Sequence, residues 1–340
     1  MPRPSLSSFL KLGCLAAALL CGSLPPLAKG EMQGPWEVIK MNDRDYVTVD
    51  SIKTFYNFNK ITRTGEAIRL ENPKVIMDLK VGSQECVMNG VKFVFSYPIE
   101  SSGGKAVVSR MDLAKLIDPV LRPNYIKNGG DFRTVVLDPG HGGKDNGATN
   151  PLGTEAGYTL MVANKTKAML EAKGFKVVMT RSSDVYLSLQ ERVNVANAVK
   201  ENAIYVSIHF NSGGRAARGI ETFALSPQGV AHYGKGLKSS DFGMFNGNEH
   251  DSANIALATA AHGSVLRRLG ANSFDRGIKR ARWSVLSGVR HPAILVECGF
   301  VTHPYEARLI ENDDYRTAVA AGLTDAVVKY RYAVSQKPAP

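Results

Sequence analysis

The chain has 340 residues, a length that suits one small and one medium domain, each with its own hydrophobic core. Its formal net charge of +11 predicts attraction to anionic surfaces. Nucleic acid is disfavoured as a partner, because lysine and arginine are scattered and no nucleic-acid-binding module is visible. Only Cys86 and Cys298 lie beyond the first 21 residues, which argues against a disulfide framework or a cysteine-rich zinc module.

The N-terminus has the three-part layout of a secretory signal. Lys11 precedes an apolar run over residues 12–20, and small, turn-forming residues follow. Because this run is too short to span a bilayer permanently, we predict a signal peptide over residues 1–29 and no transmembrane span in the mature chain. The alternatives are a short membrane anchor or a lipid attached to Cys21. The bulky Leu20 before Cys21 disfavours the lipid. Export predicts a periplasmic, wall-associated or secreted protein, attracted to wall polymers or phospholipid headgroups.

Residues 36–123 are predicted to form a small β-rich α+β domain. Short apolar stretches recur there between Asn, Gly and Ser residues, a pattern typical of hairpins, and Asn89-Gly90 is the strongest hairpin signal. Helical spacing of apolar residues predicts helices over residues 50–58 and 111–117. Turn-forming residues then predict a linker over residues 124–132. The predicted strands cover residues 46–49, 67–70, 75–79 and 91–95.

Residues 133–331 differ in pattern, because continuous apolar strands alternate with amphipathic helices. Such strands are buried on both faces, so we predict an α/β domain with a twisted, mostly parallel sheet and helices on both faces. Residues 332–340 are predicted to be a disordered tail. The predicted strands cover residues 133–137, 176–179, 203–208 and 293–296. The predicted helices cover residues 158–173, 187–201, 252–269, 304–309 and 314–330.

Ionisable residues follow three of these strands. His141 follows the first strand through a Gly-rich turn, while His209 and Glu297 directly follow the third and fourth. Because ligands bind at the carboxyl edge of such sheets, we expect these side chains to lie close together. Glu155 lies beyond the Gly-rich loop at the start of a helix. Two histidines, one carboxylate and a water form a known catalytic zinc set, which would leave Glu297 free to move protons.

Each residue also has a plainer interpretation. A single histidine after a strand is more often packed than metal-bound, and Glu155 alone fits a favourable charge at a helix N-terminus. Glu297 is harder to dismiss, since a carboxylate at the end of an apolar strand needs a partner or a task. The segment 229–251 is predicted to be a solvated surface loop. Five further histidines are better explained by loops, packing or turns: His232, His250, His262, His291 and His303.

Three motifs resemble the zinc-dependent N-acetylmuramoyl-L-alanine amidases, the type-3 amidase family. They are Val135-Val-Leu-Asp-Pro-Gly-His-Gly-Gly-Lys-Asp-Asn-Gly-Ala148, Tyr205-Val-Ser-Ile-His-Phe-Asn-Ser212 and Ile294-Leu-Val-Glu-Cys-Gly-Phe-Val-Thr-His-Pro304. The resemblance covers about residues 133–330 and implies a peptidoglycan hydrolase that cleaves between N-acetylmuramic acid and L-alanine. It implies that the metal ligands for Zn²⁺ are His141, Glu155 and His209, and that Glu297 is the catalytic carboxylate. The family usually has a charged or amide pair after its zinc glutamate, whereas Ala156-Gly157 follows here.

The region 36–123 resembles the N-terminal-like domain of copper amine oxidases, which also occurs in many exported bacterial proteins. Copper is not implied, since this region has no histidine, and we predict a role in wall attachment or spacing. Two alternatives to the amidase remain: another zinc hydrolase of the wall, such as a carboxypeptidase or deacetylase, and a non-catalytic wall-binding protein. We expect a monomer without an autoinhibitory helix. The sequence does not indicate whether a protein activator is needed.

Overall fold

The computed structural model describes residues 36–127 and 131–336. The predicted signal peptide over residues 1–29 and the end of the predicted tail lie outside these ranges. Within them, no helix is both long and apolar enough to cross a membrane. Cys86 and Cys298 are both buried, and neither forms a disulfide with another described residue.

The N-terminal part consists of antiparallel strands and short helices. Its strands are β1 Val38–Met41, β2 Arg44–Thr48, β3 Lys60–Thr64, β4 Ala67–Glu71, β5 Ile76–Lys80, β6 Glu85–Met88, β7 Val91–Val94, β8 Glu100–Ser102 and β9 Lys105–Ser109. A four-stranded antiparallel sheet has the order β1-β2-β9-β8, and β3–β7 are five further antiparallel strands. Its helical segments are α1 Val49–Phe55, α2 Arg110–Asp112, the π-helical Leu113–Ile117 and α3 Asp118–Leu121. The predicted hairpin joins β6 to β7, and Asn89 and Gly90 both have positive φ, at 49° and 78°, as such tight turns require.

The C-terminal part alternates strands with helices. Its strands are β10 Thr134–Pro139, β11 Thr149–Asn150, β12 Gly153–Thr154, β13 Lys176–Met179, β14 Ala203–Asn211, β15 Ile220–Leu225, β16 Asp275–Ala281 and β17 Ala293–Phe300. Its helices are α4 Glu155–Glu171, α5 Leu189–Ala198, α6 Asp251–Leu269, α7 Ser284–Gly288, α8 Pro304–Glu311 and α9 Asp313–Ser335.

The C-terminal sheet has the strand order β13-β10-β14-β17-β15-β16, and only the β17–β15 pair is antiparallel. Alternate residues along its strands point to opposite faces of the sheet, and each face packs into its own hydrophobic core. Val135 and Leu137 pack with α4, α6 and α9, whereas Val136 between them packs with α5 and α7. Helices therefore cover both faces, and the prediction of a mostly parallel α/β sheet is confirmed.

The sequence-based prediction of the C-terminal part was wrong in two respects. Strands β15 and β16 and helix α7 were missed. In β16, charged residues interrupt the apolar pattern even where they are buried, as at Lys279 and Arg280. Residues 332–335, predicted to be disordered, form the last turn of α9, where Val334 is buried in the core.

The two parts of the chain share one sheet and one hydrophobic core. Strand β16 pairs with β7 through Ile278 and Phe93, so that β3–β7 extend the C-terminal sheet to eleven strands. The Lys92 amide donates to Asp275 Oδ2 at 2.8 Å beside this pair. The N-terminal part is thus packed against the sheet as well as joined to it by the segment that follows residue 123.

Candidate metal centre

Neighbouring strands deliver His209 and Glu297 to the same edge of the sheet. The two residues are register partners on the parallel strands β14 and β17, so their side chains leave the same face. Strand β10 lies on the other side of β14, and its C-terminal end leads into the loop that carries His141. The sheet topology therefore brings together the three residues that were predicted to meet at this edge.

Two buried arginines hold the loop that carries His141. Arg192 donates to Pro139 O and to His141 O, both at 2.7 Å, and Arg181 donates to Gly140 O at 2.8 Å. His141 itself has a φ of 59°, in the left-handed region that costs a non-glycine residue about 1–3 kcal/mol. The arginine contacts stabilise this strained backbone and aim the imidazole over the sheet edge.

Glycine is required where this loop passes the other candidate residues. A Cβ atom on Gly140 would lie 2.2 Å from the His209 ring. A Cβ atom on Gly147, whose φ is +62°, would lie 2.6 Å from Glu155 Oε2 and from the His141 ring. These two positions allow the loop backbone to close tightly around the candidate ligands.

Three candidate ligand atoms converge on one point. Glu155 Oε1 lies 3.2 Å from His141 Nε2 and 2.9 Å from His209 Nδ1. Each of the three residues offers one ligand atom within 4.8 Å of the other two, and the two imidazole rings meet nearly at a right angle, with centroids 5.0 Å apart. Two imidazole nitrogens and one carboxylate oxygen arranged in this way could hold a metal ion.

Asp145 orients the His141 ring, and the sequence-based prediction assigned it no role. His141 Nδ1 and Asp145 Oδ2 are 2.9 Å apart, which turns Nε2 toward Glu155. Burial alone would lower the pKa of His141, but hydrogen bonds to Glu155 and Asp145 raise it. The His141 imidazole lies between two carboxylates that favour its positively charged form, so a metal cation could bind there in place of the proton. The only sequence signal was the position of Asp145 in the same Gly-rich loop.

Glu155 is the first residue of α4, as predicted, with Thr154 as the N-cap. Its carboxylate turns away from its own helix and accepts the amides of Ala148, at 2.9 Å, and Phe210, at 3.1 Å. Burial alone would raise the pKa of Glu155, but hydrogen bonds from His141 and His209 outweigh burial and lower it. The carboxylate therefore stays ionised and suitable as a ligand.

Glu297 has the opposite electrostatic environment. Among the described residues its buried Oε2 atom has no hydrogen-bond partner. Burial raises the pKa of Glu297 well above its ordinary value, and the carboxylates of Glu155 and Glu221 raise it further. An unpartnered carboxyl oxygen beside two imidazoles and a second carboxylate fits a site that binds a cation and a polar ligand.

A second charged cluster lies behind Glu297. Glu221 on β15 is the antiparallel register partner of Glu297 and is buried. It forms ion pairs with Arg276 and with Lys279, whose Nζ lies 3.1 Å from Glu221 Oε2. Burial lowers the pKa of Lys279. The sequence-based prediction missed this cluster because it missed both strands that carry it.

The remaining histidines take structural positions outside this centre. His303 caps α8 by accepting the Glu306 amide, and His262 is buried between Thr222 and Asp275. His250 and His291 lie within hydrogen-bonding distance of backbone carbonyls, at 3.0 and 3.2 Å.

The segment 229–251, which was predicted to be a solvated surface loop, follows the C-terminal end of β15. His232 lies there, where its Nδ1 accepts the Arg282 amide. This segment therefore lies at the opposite edge of the sheet from Glu297.

The fold and the donor set define an α/β protein with a candidate metal centre at the carboxyl edge of its sheet. The chain belongs to the N-acetylmuramoyl-L-alanine amidase family Amidase_3, whose sequence profile matches residues 135–329. This range contains all four candidate residues, and the predicted membership in the type-3 amidase family is confirmed.

Named relatives agree with this assignment. The chain is 29% identical over 254 residues to N-acetylmuramoyl-L-alanine amidase AmiA of Escherichia coli, an alignment that covers 67% of this chain and 86% of AmiA. It is 30% identical to AmiC of Neisseria meningitidis, over 64% of this chain and 57% of AmiC. Among solved structures, the catalytic domain of CwlV from Bacillus (Paenibacillus) polymyxa is 30% identical, with a TM-score of 0.48 over 58% of this chain and 98% of that domain.

Proposed function

We propose that this protein is a zinc-dependent amidase that hydrolyses peptidoglycan at the bond between N-acetylmuramic acid and the L-alanine of the stem peptide. Membership in the amidase family supports the choice of bond. The observation that carries the metal chemistry is the convergence of His141, Glu155 and His209 beside the unpartnered carboxyl oxygen of Glu297.

Zinc is the metal that suits this donor set. Two imidazole nitrogens and one carboxylate oxygen, with a fourth position for water, are typical of catalytic zinc sites. Magnesium and calcium prefer sites made of oxygen ligands. His141 Nε2, His209 Nδ1 and Glu155 Oε1 would hold the ion, and Asp145 would fix the His141 ring in the way that outer carboxylates support metal-bound histidines.

Bound zinc supplies electrophilic assistance to the amide carbonyl and lowers the pKa of water toward ~7. Glu297 takes the proton of the attacking water and then gives a proton to the departing L-alanine nitrogen. The two carboxylates have different roles because their surroundings differ. Hydrogen bonds keep Glu155 ionised as a ligand. Burial raises the pKa of Glu297, which suits a carboxylate that takes up a proton and then returns it.

The enzyme would act outside the cytoplasm, in the periplasm or at the wall. The N-terminal pattern of a signal peptide and the wall substrate both support this location. The N-terminal part would act as a spacer or attachment module for the amidase part. Because the two parts share a sheet, it would hold a fixed position relative to the metal centre.

The test is metal analysis and peptidoglycan digestion by the exported protein, with products identified by mass. We expect about one zinc per chain, release of peptides that begin with L-alanine, and loss of digestion on chelation. Glu297→Gln should keep the zinc and lose digestion, while Glu249→Gln, an exposed carboxylate beyond the far end of β15, should behave as wild type.

Other products would identify the competing functions. Release of a free amino acid indicates a carboxypeptidase, and release of acetate indicates a deacetylase. Binding to the wall without any digestion by the zinc-loaded protein indicates a wall-binding protein. Each of these results overturns the proposal, as does full activity in Glu297→Gln.

A further inference from the structure

A cluster of exposed hydrophobic side chains lies outside the candidate metal centre. Single exposed hydrophobic residues are ordinary, but a group of large ones marks an interaction surface. Here five occur within thirteen residues of one segment, and a sixth follows β16. This group, called the loop patch below, consists of Tyr233, Leu237, Phe242, Met244, Phe245 and Trp283, with exposed fractions of 37–66%.

The loop patch lies at the sheet edge opposite the metal centre. Strand β15 runs antiparallel to β17, with Glu221 opposite Glu297 and Ala224 opposite Ile294. The loop patch follows the C-terminal end of β15, and Trp283 follows the adjacent end of β16. Four strand residues span about 13 Å, so the C-terminal end of β15, where this segment begins, lies about that far from Glu297 along the sheet. Tyr233 lies nearer to the metal centre than the rest of the loop patch, because its ring centroid is 4.5 Å from Lys279 Nζ, which pairs with Glu221.

The segment that carries the loop patch is held in place by one arginine. Arg282 donates to the backbone carbonyls of Pro227, Val230 and Asp241 at 2.7–2.9 Å, and to the Asp241 carboxylate at 2.8 Å. These contacts join the start of the segment to its middle and to the end of β16. The exposure of the hydrophobic side chains is therefore a property of an organised loop.

The segment that carries the loop patch also carries exposed positive charge. A surface pocket beside the loop patch is lined by His232, Lys235, Gly236, Lys238, Ser240 and the ion pair of Asp241 with Arg282. Both lysines are exposed, whereas Asp241, the one acidic residue between positions 226 and 248, is buried and paired with Arg282. The nearest exposed carboxylate in the sequence is Glu249.

We propose that the loop patch docks the protein on an anionic phospholipid surface. Exposed aromatic, leucine and methionine side chains enter the boundary between headgroups and acyl chains, and lysines beside them attract phosphate headgroups. The lysine-lined pocket provides a place for a phosphate. Docking through this edge would turn the metal centre away from the membrane, toward the space where the wall lies. This orientation rests on the proposed function, but the docking itself does not.

The test is sedimentation of the exported protein, whose new N-terminus is established by mass, with phospholipid vesicles. We expect binding to vesicles that contain phosphatidylglycerol and little binding to phosphatidylcholine alone. Replacing both lysines, Lys235→Gln with Lys238→Gln, should weaken binding about thirty-fold and reduce its salt dependence. Phe242→Ser with Met244→Ser should weaken it at least about ten-fold.

The matched control is Val328→Ser with Tyr332→Ser, which removes two exposed hydrophobic side chains from α9 and should leave vesicle binding unchanged. All variants should keep wild-type circular dichroism, metal content and activity on soluble wall fragments. A failure of wall digestion by the wild type overturns the proposed function without affecting the vesicle result.

Three results would overturn the docking proposal. The first is equal binding to neutral and anionic vesicles, and the second is wild-type binding by both patch variants. The third is an absence of vesicle binding, even if inorganic phosphate binds the pocket, which would indicate a site for free phosphate or a surface for a protein partner.

Discussion

His209 and Glu297 are register partners on neighbouring parallel strands, so a candidate metal ligand and the proposed catalytic base are placed by one strand pairing. A slip of one residue would turn one of the two side chains to the other face of the sheet. The site therefore depends on the pairing of β14 with β17 as much as on the identity of the two residues.

Glu297→Asp should keep the metal and lower kcat about a hundred-fold. The shorter side chain withdraws the carboxylate by roughly one bond length, and a displacement of about 1 Å can cost that much in a reaction that needs close alignment. Steady-state kinetics with zinc analysis on the same samples would check this. A changed KM with an unchanged kcat would indicate that Glu297 only binds substrate.

Asp145→Asn should weaken metal binding about 10–100-fold, because the His141 ring loses the carboxylate that orients it. Competition with a chromophoric chelator measures the affinity. Asp184→Asn is the control, since Asp184 accepts the Gly143 amide of the same loop without touching the imidazole. Equal losses in both variants would mean that the loop as a whole, rather than the ring, had been disturbed.

Gly140→Ala should lose bound metal, because its Cβ would lie 2.2 Å from the His209 ring and one of the two must move. Gly236→Ala is a matched control in a position where nothing lies within 4 Å of the added carbon. Metal content and thermal unfolding of both proteins provide the measurement. Normal metal binding by Gly140→Ala would show that the loop can relax around the ring.

Asp138→Asn should destabilise the protein by about 3–5 kcal/mol, because it leaves the buried Arg192 without its carboxylate. Burial alone would raise the pKa of Asp138, but Arg192 and the hydroxyl groups of Thr180 and Tyr205 lower it. A pKa lower in the folded than in the unfolded chain stabilises the fold above about pH 4 and loses that effect as the pH falls through the folded value.

Denaturant unfolding of the metal-free protein between neutral and acid pH measures this effect. The variant should lose less stability than the wild type on acidification. Asp50→Asn, which breaks an exposed pair with Arg63, is the control and should cost no more than about 1 kcal/mol. Parallel acid profiles of wild type and Asp138→Asn would contradict the prediction.

The two parts of the chain should unfold together, because β7 and β16 pair within one sheet and the core is continuous. The chain has two tryptophans, Trp36 in the N-terminal part and Trp283 in the C-terminal part. Each single Trp→Phe variant leaves one fluorescent reporter. Coincident denaturant midpoints are expected, whereas two separate midpoints would show that the parts are independent domains.

Local sequence signals predicted most elements that have a regular apolar pattern. The Gly-rich turn before His141 and the position of Glu155 at a helix start were visible without the fold, because both follow from backbone conformation and charge near a helix end. The family motifs added the type of hydrolase. Strands β15 and β16 were not predicted, because their buried charged residues interrupt the apolar pattern that is typical of a strand.

By itself, the sequence determined the α/β class, the four candidate residues and the family, because strand periodicity, turn residues and motifs are local properties of the chain. Only the tertiary structure decided which atoms meet. It directed Glu155 Oε1 toward both imidazoles, added Asp145 behind His141 and left Glu297 Oε2 without a partner. It also joined the two parts in one sheet and gathered the loop patch at the far edge. These features depend on the pairing of residues far apart in sequence, which no local pattern specifies.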